Sequence, residues 1–273
     1  MTDKIRDHWN DEASDYGSWG YYRPGSEEKM KMVNEVIAAP ERAFPIELLP
    51  LIKKYAGKLR GKKILVPSSG DNIAAFGFHL LGARVTSCDI SENQIENAKT
   101  IAKKFNWEIE FKVQDSMRLS GIPCDEYDLV YTSNGVHVWI DDMPGMYENL
   151  YRVLKRGGHN IFFETHPMIR PFDNTTYELK IRKLYEDVGP FEEVLTYGWR
   201  TMDFVNAVAS AGFIIKEMRE FHSLREDLDS HNYLSVNEGR KDDWPGDSFD
   251  WKNNPWAALP QCLCLCSQKP EQA

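Results

Sequence analysis

Ile64-Leu65-Val66-Pro67-Ser68-Ser69-Gly70-Asp71-Asn72 decides the fold of this chain. Three consecutive branched apolar residues read as a short strand buried on both faces, and the Pro-Ser-Ser-Gly turn stops it. Helical spacing follows over residues 74–81, and Gly82 breaks it. The alternation then repeats. Residues 84–88 read as a second strand, and 92–105 as a helix capped by Ser91. Residues 109–113, 127–132 and 160–164 read as the third, fourth and fifth strands. Between the last two, residues 142–154 read as a helix that the pair Gly157-Gly158 is expected to stop. Short strands separated by helices of about 10–15 residues are βαβ units, so the sheet is parallel with right-handed crossovers.

Outward from this block the texture changes. Residues 1–60 carry no strand pattern and read as a helical lid or extension, with Ser26 capping a helix that Pro40 ends and a further helix after Pro45. Trp9, Tyr16, Trp19, Tyr21 and Tyr22 crowd that opening. Residues 61–273 form the main domain, with insertions at about 167–199 and 222–256. Residues 201–211 read as a helix, and 213–218 and 259–267 as two final strands. A connection as long as the second insertion reads as a lid, a partner surface or a partly disordered segment, and its Trp244, Trp251 and Trp256 as loop packing, a subunit contact or an acceptor pocket.

Composition bounds the function. Of 273 residues, 42% are hydrophobic, ordinary for a chain that buries a core, and the net charge is −9. No lysine or arginine run makes a face that could track phosphates, so a nucleic-acid partner is not expected. The charged opening lacks the apolar stretch of a secretory signal, and no segment is apolar enough to span a membrane. Five cysteines fit no zinc spacing, and Cys262, Cys264 and Cys266 alternate along one strand face. A cytoplasmic protein acting on a small molecule is the expectation, without a metal.

Ligands of an open parallel sheet sit at the carboxyl ends of its strands. Three polar turns fall there. Gly70 lets the backbone approach a ligand after the first strand, Asp89 closes the second, and Asp115-Ser116 follows the third. A carboxylate at the position of Asp89 can accept from a ribose hydroxyl pair, and Asp115 from an adenine amino group. An adenosine-containing ligand fits all three.

These stretches resemble the class I S-adenosylmethionine-dependent methyltransferases. "ILVPSSGDN" stands at the glycine-rich motif, and "VTSCDISENQIENA" is similar to the second-strand motif, with Gln94 at its end. "FKVQDS" matches the adenine-side motif, and "YDLVYTSNGVHVWIDDMPGMYENLYRVLKRGGHNIFFETHP" matches the fourth strand through the fifth. The resemblance implies a Rossmann-like α/β fold: a seven-stranded, mostly parallel sheet with helices on both faces and an antiparallel last strand. It implies S-adenosylmethionine as cofactor, with Ser68 and Gly70 flanking its methionine portion, Asp89 on the ribose, Ile90 against adenine and Asp115 with Ser116 at the adenine edge. Asn134 would face the sulfonium and the acceptor. The chain departs from the family's G-x-G-x-G by placing Ser68 and Asn72 at the outer positions.

Methyl transfer is an in-line displacement helped by a base when the acceptor carries a proton. His137, Glu164 and His166 are the candidates, and Glu164 and His166, two apart, would share a side if the strand continued past Pro167. Two rival readings stand. A nicotinamide-dependent oxidoreductase uses a similar turn, but wants glycines where this chain has Ser68, and Asp71 would repel a pyrophosphate. A non-catalytic regulatory protein could retain the fold and bind the cofactor alone. The acceptor and the oligomeric state are not legible.

Overall fold

Strand formation follows the apolar runs. The computed structural model describes residues 2–14, 24–133, 135–174, 178–191, 195–227 and 246–271. Among them, β1 (Lys63–Val66), β2 (Arg84–Asp89), β3 (Glu110–Val113), β4 (Tyr127–Thr132), β5 (Leu154–Thr165), β6 (Ile214–Phe221) and β7 (Cys262–Gln268) form one sheet. Its order is β3-β2-β1-β4-β5-β7-β6. The first five strands run parallel, and β7 is antiparallel to both of its neighbours. Strand order reverses at β1, which lies between β2 and β4, and such a switch point opens a crevice at the carboxyl ends.

Period-two alternation splits the apolar residues between two cores. Ile64, Val66, Leu129, Tyr131, Ile161, Phe163, Cys262, Cys264 and Cys266 face α2 (Glu27–Ala38), α3 (Leu48–Ala56), α4 (Ile73–Leu80) and α5 (Glu92–Lys104). Leu65, Val130, Phe162, Leu263 and Leu265 face α6 (Met143–Val153) and α7 (Thr201–Ser210). Each large side chain so buried contributes about 1.5–3 kcal/mol. The residues of α2 and α3 are therefore a packed layer of the domain. Ser26 caps α2 as the sequence suggests, its Oγ accepting from Lys29 N at 3.2 Å.

Two boundaries differ from the sequence reading. Gly157-Gly158 does not stop α6, which ends at Val153 and passes directly into β5. The glycines lie in an irregularity of the β4–β5 register between Leu154 and His159, where Gly157 has φ +74°. A Cβ on Gly158 would stand 2.8 Å from the Lys155 carbonyl oxygen, so the bulge requires glycine. The sixth strand runs on to Phe221 because it is a sheet edge, where Lys216, Glu217, Arg219 and Glu220 are tolerated. No helix among the described residues is long and apolar enough to cross a membrane.

Candidate active site

The turn after β1 takes an unusual backbone path. Ser68, Gly70 and Asn72 all have positive φ, at +48°, +50° and +65°. These are the three places that the resemblance gives to glycine. A side chain in this region costs about 1–2 kcal/mol, which local hydrogen bonds offset. Ser68 Oγ lies 2.7 Å from Ser116 Oγ, joining the β1 turn to the β3 turn. Asn72 is nearly buried. Its Nδ2 donates to the Gly70 carbonyl at 2.7 Å, and its Oδ1 accepts from Ser69 Oγ and from Ser87 Oγ. The serines and the asparagine hold by side-chain bonds a path that glycine takes freely.

Asp89 ends β2 and reaches back across this turn. Its Oδ2 accepts from Gly70 N at 3.0 Å and its Oδ1 from Ser91 N at 2.9 Å. Burial pushes the carboxyl above the ordinary aspartate value, and the N–H groups of Ser91, Gly70 and Ile90 oppose that. With three donors on its two oxygens, the carboxylate keeps a lone pair for a hydroxyl. Ile90 is half-buried beside it, and Gln94, in the first turn of α5, is buried with Nε2 lacking a partner. Across the crevice Ser116 is buried, while Asp115 accepts from Met117 N at 2.9 Å and lies 3.6 Å from Arg118.

The β4–β5 side is organised by Glu164, which is fully buried. Oε1 accepts from Gly135 N and Thr165 N, both at 2.9 Å; Oε2 accepts from His137 N at 3.0 Å and contacts His137 Nδ1 at 3.1 Å. His137 Nε2 meets Tyr147 Oη at 2.9 Å, and Arg170 stands 3.6 Å from Oε1. Burial alone would raise the Glu164 carboxyl, but His137, Arg170 and Gly135 N hold it below its ordinary value. His166 does not share this environment. The strand stops at Thr165, a short helical turn begins at Pro167, and His166 Nε2 pairs with Glu220 on β6 at 2.9 Å while Nδ1 accepts from Met168 N. The proline turns the chain, so residues two apart do not point together.

Two segments wall the crevice. In α1 (Thr2–Glu12), Asn10 Oδ1 accepts from Ser91 Oγ at 2.7 Å, and His8 and Trp9 pack on Trp139 with ring centroids 5.0 Å apart. The helix thus ties the turn after β2 to the turn after β4. From the other side Tyr197 N donates to Val138 O at 2.7 Å and Trp199 Nε1 to Ile140 O at 2.9 Å. Trp256 is core, packed on Ile169 and Phe172, and Trp251 is exposed. Asn134, Tyr16, Trp19, Tyr21, Tyr22 and Trp244 lie outside the described residues.

Sequence reasoning passed over Lys29, Tyr147 and Arg170. Lys29 is 5% exposed and its Nζ donates to the Asp71 carbonyl at 3.1 Å. The signal was present: Lys29 stands in helical register with the buried Val33 and Val36. Tyr147 and Arg170 carried no such signal, since each reads as an ordinary residue of its segment.

The donor set fits S-adenosylmethionine. Asp89 offers acceptors, and the buried Gln94 Nε2 and Thr132 Oγ1 lack partners among the described residues. The carboxylates of Asp71 and Asp89 at the turn suit a cationic sulfonium and oppose a pyrophosphate. The comparisons agree with this chemistry. Residues 68–158 match the family described as a methyltransferase domain. An uncharacterized methyltransferase, YbaJ, of Bacillus subtilis is 26% identical over 194 residues, covering 64% of this chain and 73% of that protein. A ubiquinone biosynthesis O-methyltransferase of Acinetobacter baumannii is 26% identical over 175 residues, covering 63% and 71%. In fold, the chain is similar to geranyl diphosphate C-methyltransferase from Streptomyces coelicolor, solved with S-adenosyl-L-homocysteine. The TM-score is 0.62 at 13% identity over 98% of both chains. The chain thus carries a methyltransferase domain over residues 68–158 and shares the fold of S-adenosylmethionine-dependent methyltransferases.

Proposed function

We propose that this methyltransferase moves the methyl group of S-adenosylmethionine to a small-molecule acceptor held over the carboxyl ends of β4 and β5. The observation that carries this reading is the wall on that side. Tyr197 and Trp199 stitch one insertion to the turn at Val138 and Ile140, so folded chain lies against the turn after β4. A polymer needs an open groove lined with cations, and the net charge of −9 offers little for one. The O-methyltransferase of ubiquinone biosynthesis among the relatives supports a small acceptor as well.

Bound S-adenosylmethionine supplies a methyl group activated by its sulfonium. Asp89 holds the ribose hydroxyls, Ile90 packs on adenine, and Ser116 with Asp115 meets the adenine edge. Gln94 supports that side, and Ser68 and Gly70 flank the methionine portion. Rate then comes from alignment, which can remove about 7–11 kcal/mol of barrier. Glu164 and His137 are positioning residues in this scheme. Their polar atoms are committed to Gly135, Thr165, Tyr147 and each other, so they fix the turn after β4 and carry no proton from the acceptor. His166 has both ring nitrogens engaged and belongs to the wall.

The test is the fate of methyl-labelled S-adenosylmethionine in cell extract supplied with the purified protein. Label gathers in the small-molecule fraction. Label in RNA, DNA or protein would overturn the reading.

A further inference from the structure

Arg170 closes the short helical turn that follows β5, with 24% of its side chain exposed. Its partner Glu164 stands 3.6 Å away at Oε1, beyond a normal hydrogen bond. Glu164 is already filled: Oε1 accepts from Gly135 N and Thr165 N, and Oε2 from His137 N with the His137 ring beside it. A guanidinium carries five donors. Among the described residues, none of those of Arg170 finds a hydrogen-bond acceptor. The chain then doubles back and brings up a second cation. Phe172 and Ile181 form an antiparallel bridge, and Pro171 O accepts from Arg182 N at 2.8 Å and from Lys183 N at 3.3 Å. Continued by one residue, that register sets Lys183 opposite Arg170, and like charges so placed repel. The half-buried Lys183 ammonium lies over the Phe191 ring, 3.6 Å from its centroid, and a Cβ on Gly198 would stand 3.0 Å from Nζ. It too has no hydrogen-bond acceptor among the described residues. Burial pulls this ammonium below the ordinary lysine value; Asp187 opposes that, while Arg170 and Arg182 add to it. Asp187 is exposed, and its Oδ1 accepts from Gly189 N at 3.4 Å.

Both cations belong to the wall over the carboxyl ends of β4 and β5. Arg170 stands against the Glu164 that fixes the turn after β4. Lys183 meets Gly198, between the Tyr197 and Trp199 that bond to Val138 and Ile140. With the acceptor held over those strand ends, the reading on which this assignment rests, two unfilled cations stand beside it. Like charges drawn together and partly desolvated are costly until an anion joins them. We infer that Arg170 and Lys183 bind an anionic group of the methyl acceptor, a carboxylate or a phosphate. The planar fork of Arg170 matches the paired oxygens of either, and Lys183 adds a point charge. The anion is a handle and not the atom methylated, because an oxygen held by two cations is a weak nucleophile. One such group needs only this pair, whereas a nucleic acid needs a cation for each phosphate it places, in a chain of net charge −9.

The experiment reads the charge of the product. The protein is incubated with methyl-labelled S-adenosylmethionine and cell extract, and the labelled small molecules are passed over an anion exchanger at about pH 8, where carboxylates and phosphates are ionised. Label is expected to stay on the exchanger and to elute with salt. Alkaline phosphatase beforehand separates the two sources: retention lost marks a phosphate ester, and retention kept marks a carboxylate. At limiting extract, Lys183→Met should slow labelling of the retained fraction about tenfold, the loss of one charge-assisted bond, and Lys183→Arg should stay near the wild type. The deficit should shrink as the extract is concentrated, because the defect is in acceptor binding. Calorimetry of Lys183→Met with S-adenosylhomocysteine should change by less than about twofold, which shows that the variant is folded. Where Lys183→Met fails to fold, Lys183→Gln gives the same comparison. Labelled small molecules that pass unretained, or an unaltered rate in Lys183→Met, would overturn the assignment and leave the small-molecule reading standing. Label in RNA, DNA or protein would overturn that reading too.

Discussion

The carboxylate of Asp89 accepts a hydrogen bond from the backbone N–H of Gly70 at 3.0 Å, so the end of β2 holds the turn after β1 in place. The same carboxylate has to keep a lone pair for the ribose. Asp89→Ala should weaken S-adenosylhomocysteine by about 1–3 kcal/mol, the cost of leaving buried polar partners unpaired. Burial raises the Asp89 carboxyl, so acidification protonates it before an ordinary aspartate. Affinity is complete above that raised value and falls below it. Calorimetry across acidic pH reads this directly, and Asp89→Asn should flatten the profile.

Glu164 gives a stability prediction of the opposite sign. Its folded carboxyl lies below the ordinary value of 4.5. A depressed carboxyl contributes stability above its unfolded value and loses it as pH falls through the folded one. The wild type should therefore lose melting temperature below about pH 4.5 more steeply than Glu164→Gln. Glu164→Ala, which strands Arg170, the His137 ring and three backbone N–H groups, should cost about 3–5 kcal/mol in denaturant unfolding.

At Asn72 two effects can be told apart. Alanine loses the bonds to Ser69, Ser87 and Gly70 and also suffers the left-handed backbone, whereas glycine loses only the bonds. Asn72→Ala should fall below Asn72→Gly in stability by about 1–2 kcal/mol. Equal stabilities would mean that φ at this residue is not +65° in solution.

Removing residues 1–25 should abolish turnover while far-ultraviolet dichroism keeps the signal of the sheet domain. That segment includes α1, whose Asn10 and Trp9 bridge the turns after β2 and β4. Full activity in the truncated protein would exclude it from the site.

The alternation of apolar strands and helices made the sheet legible, because the period of the pattern is the period of the backbone. The places of Asp89, Gly70 and Ser116 at the strand ends were legible for the same reason: strand ends follow from strand runs. The edges were harder. Charged residues hid the last part of β6, since an edge strand needs no apolar face, and Gly157-Gly158 serves a bulge as readily as a helix end. The pairing of Glu164 with His137, 27 residues apart, has no local signature. It depends on how the turn after β4 folds back over β5, as does the separation of His166. Lys29 was visible only as a charge in an apolar stripe.

The proposed site for S-adenosylmethionine lies at the carboxyl ends of β1, β2 and β3. Isothermal calorimetry of the wild-type protein with S-adenosylhomocysteine and, separately, with nicotinamide dinucleotides tests it most directly. Saturable micromolar binding of S-adenosylhomocysteine at one site per chain is expected, with no heat from the dinucleotides. Binding of a nicotinamide dinucleotide with none of S-adenosylhomocysteine would contradict it.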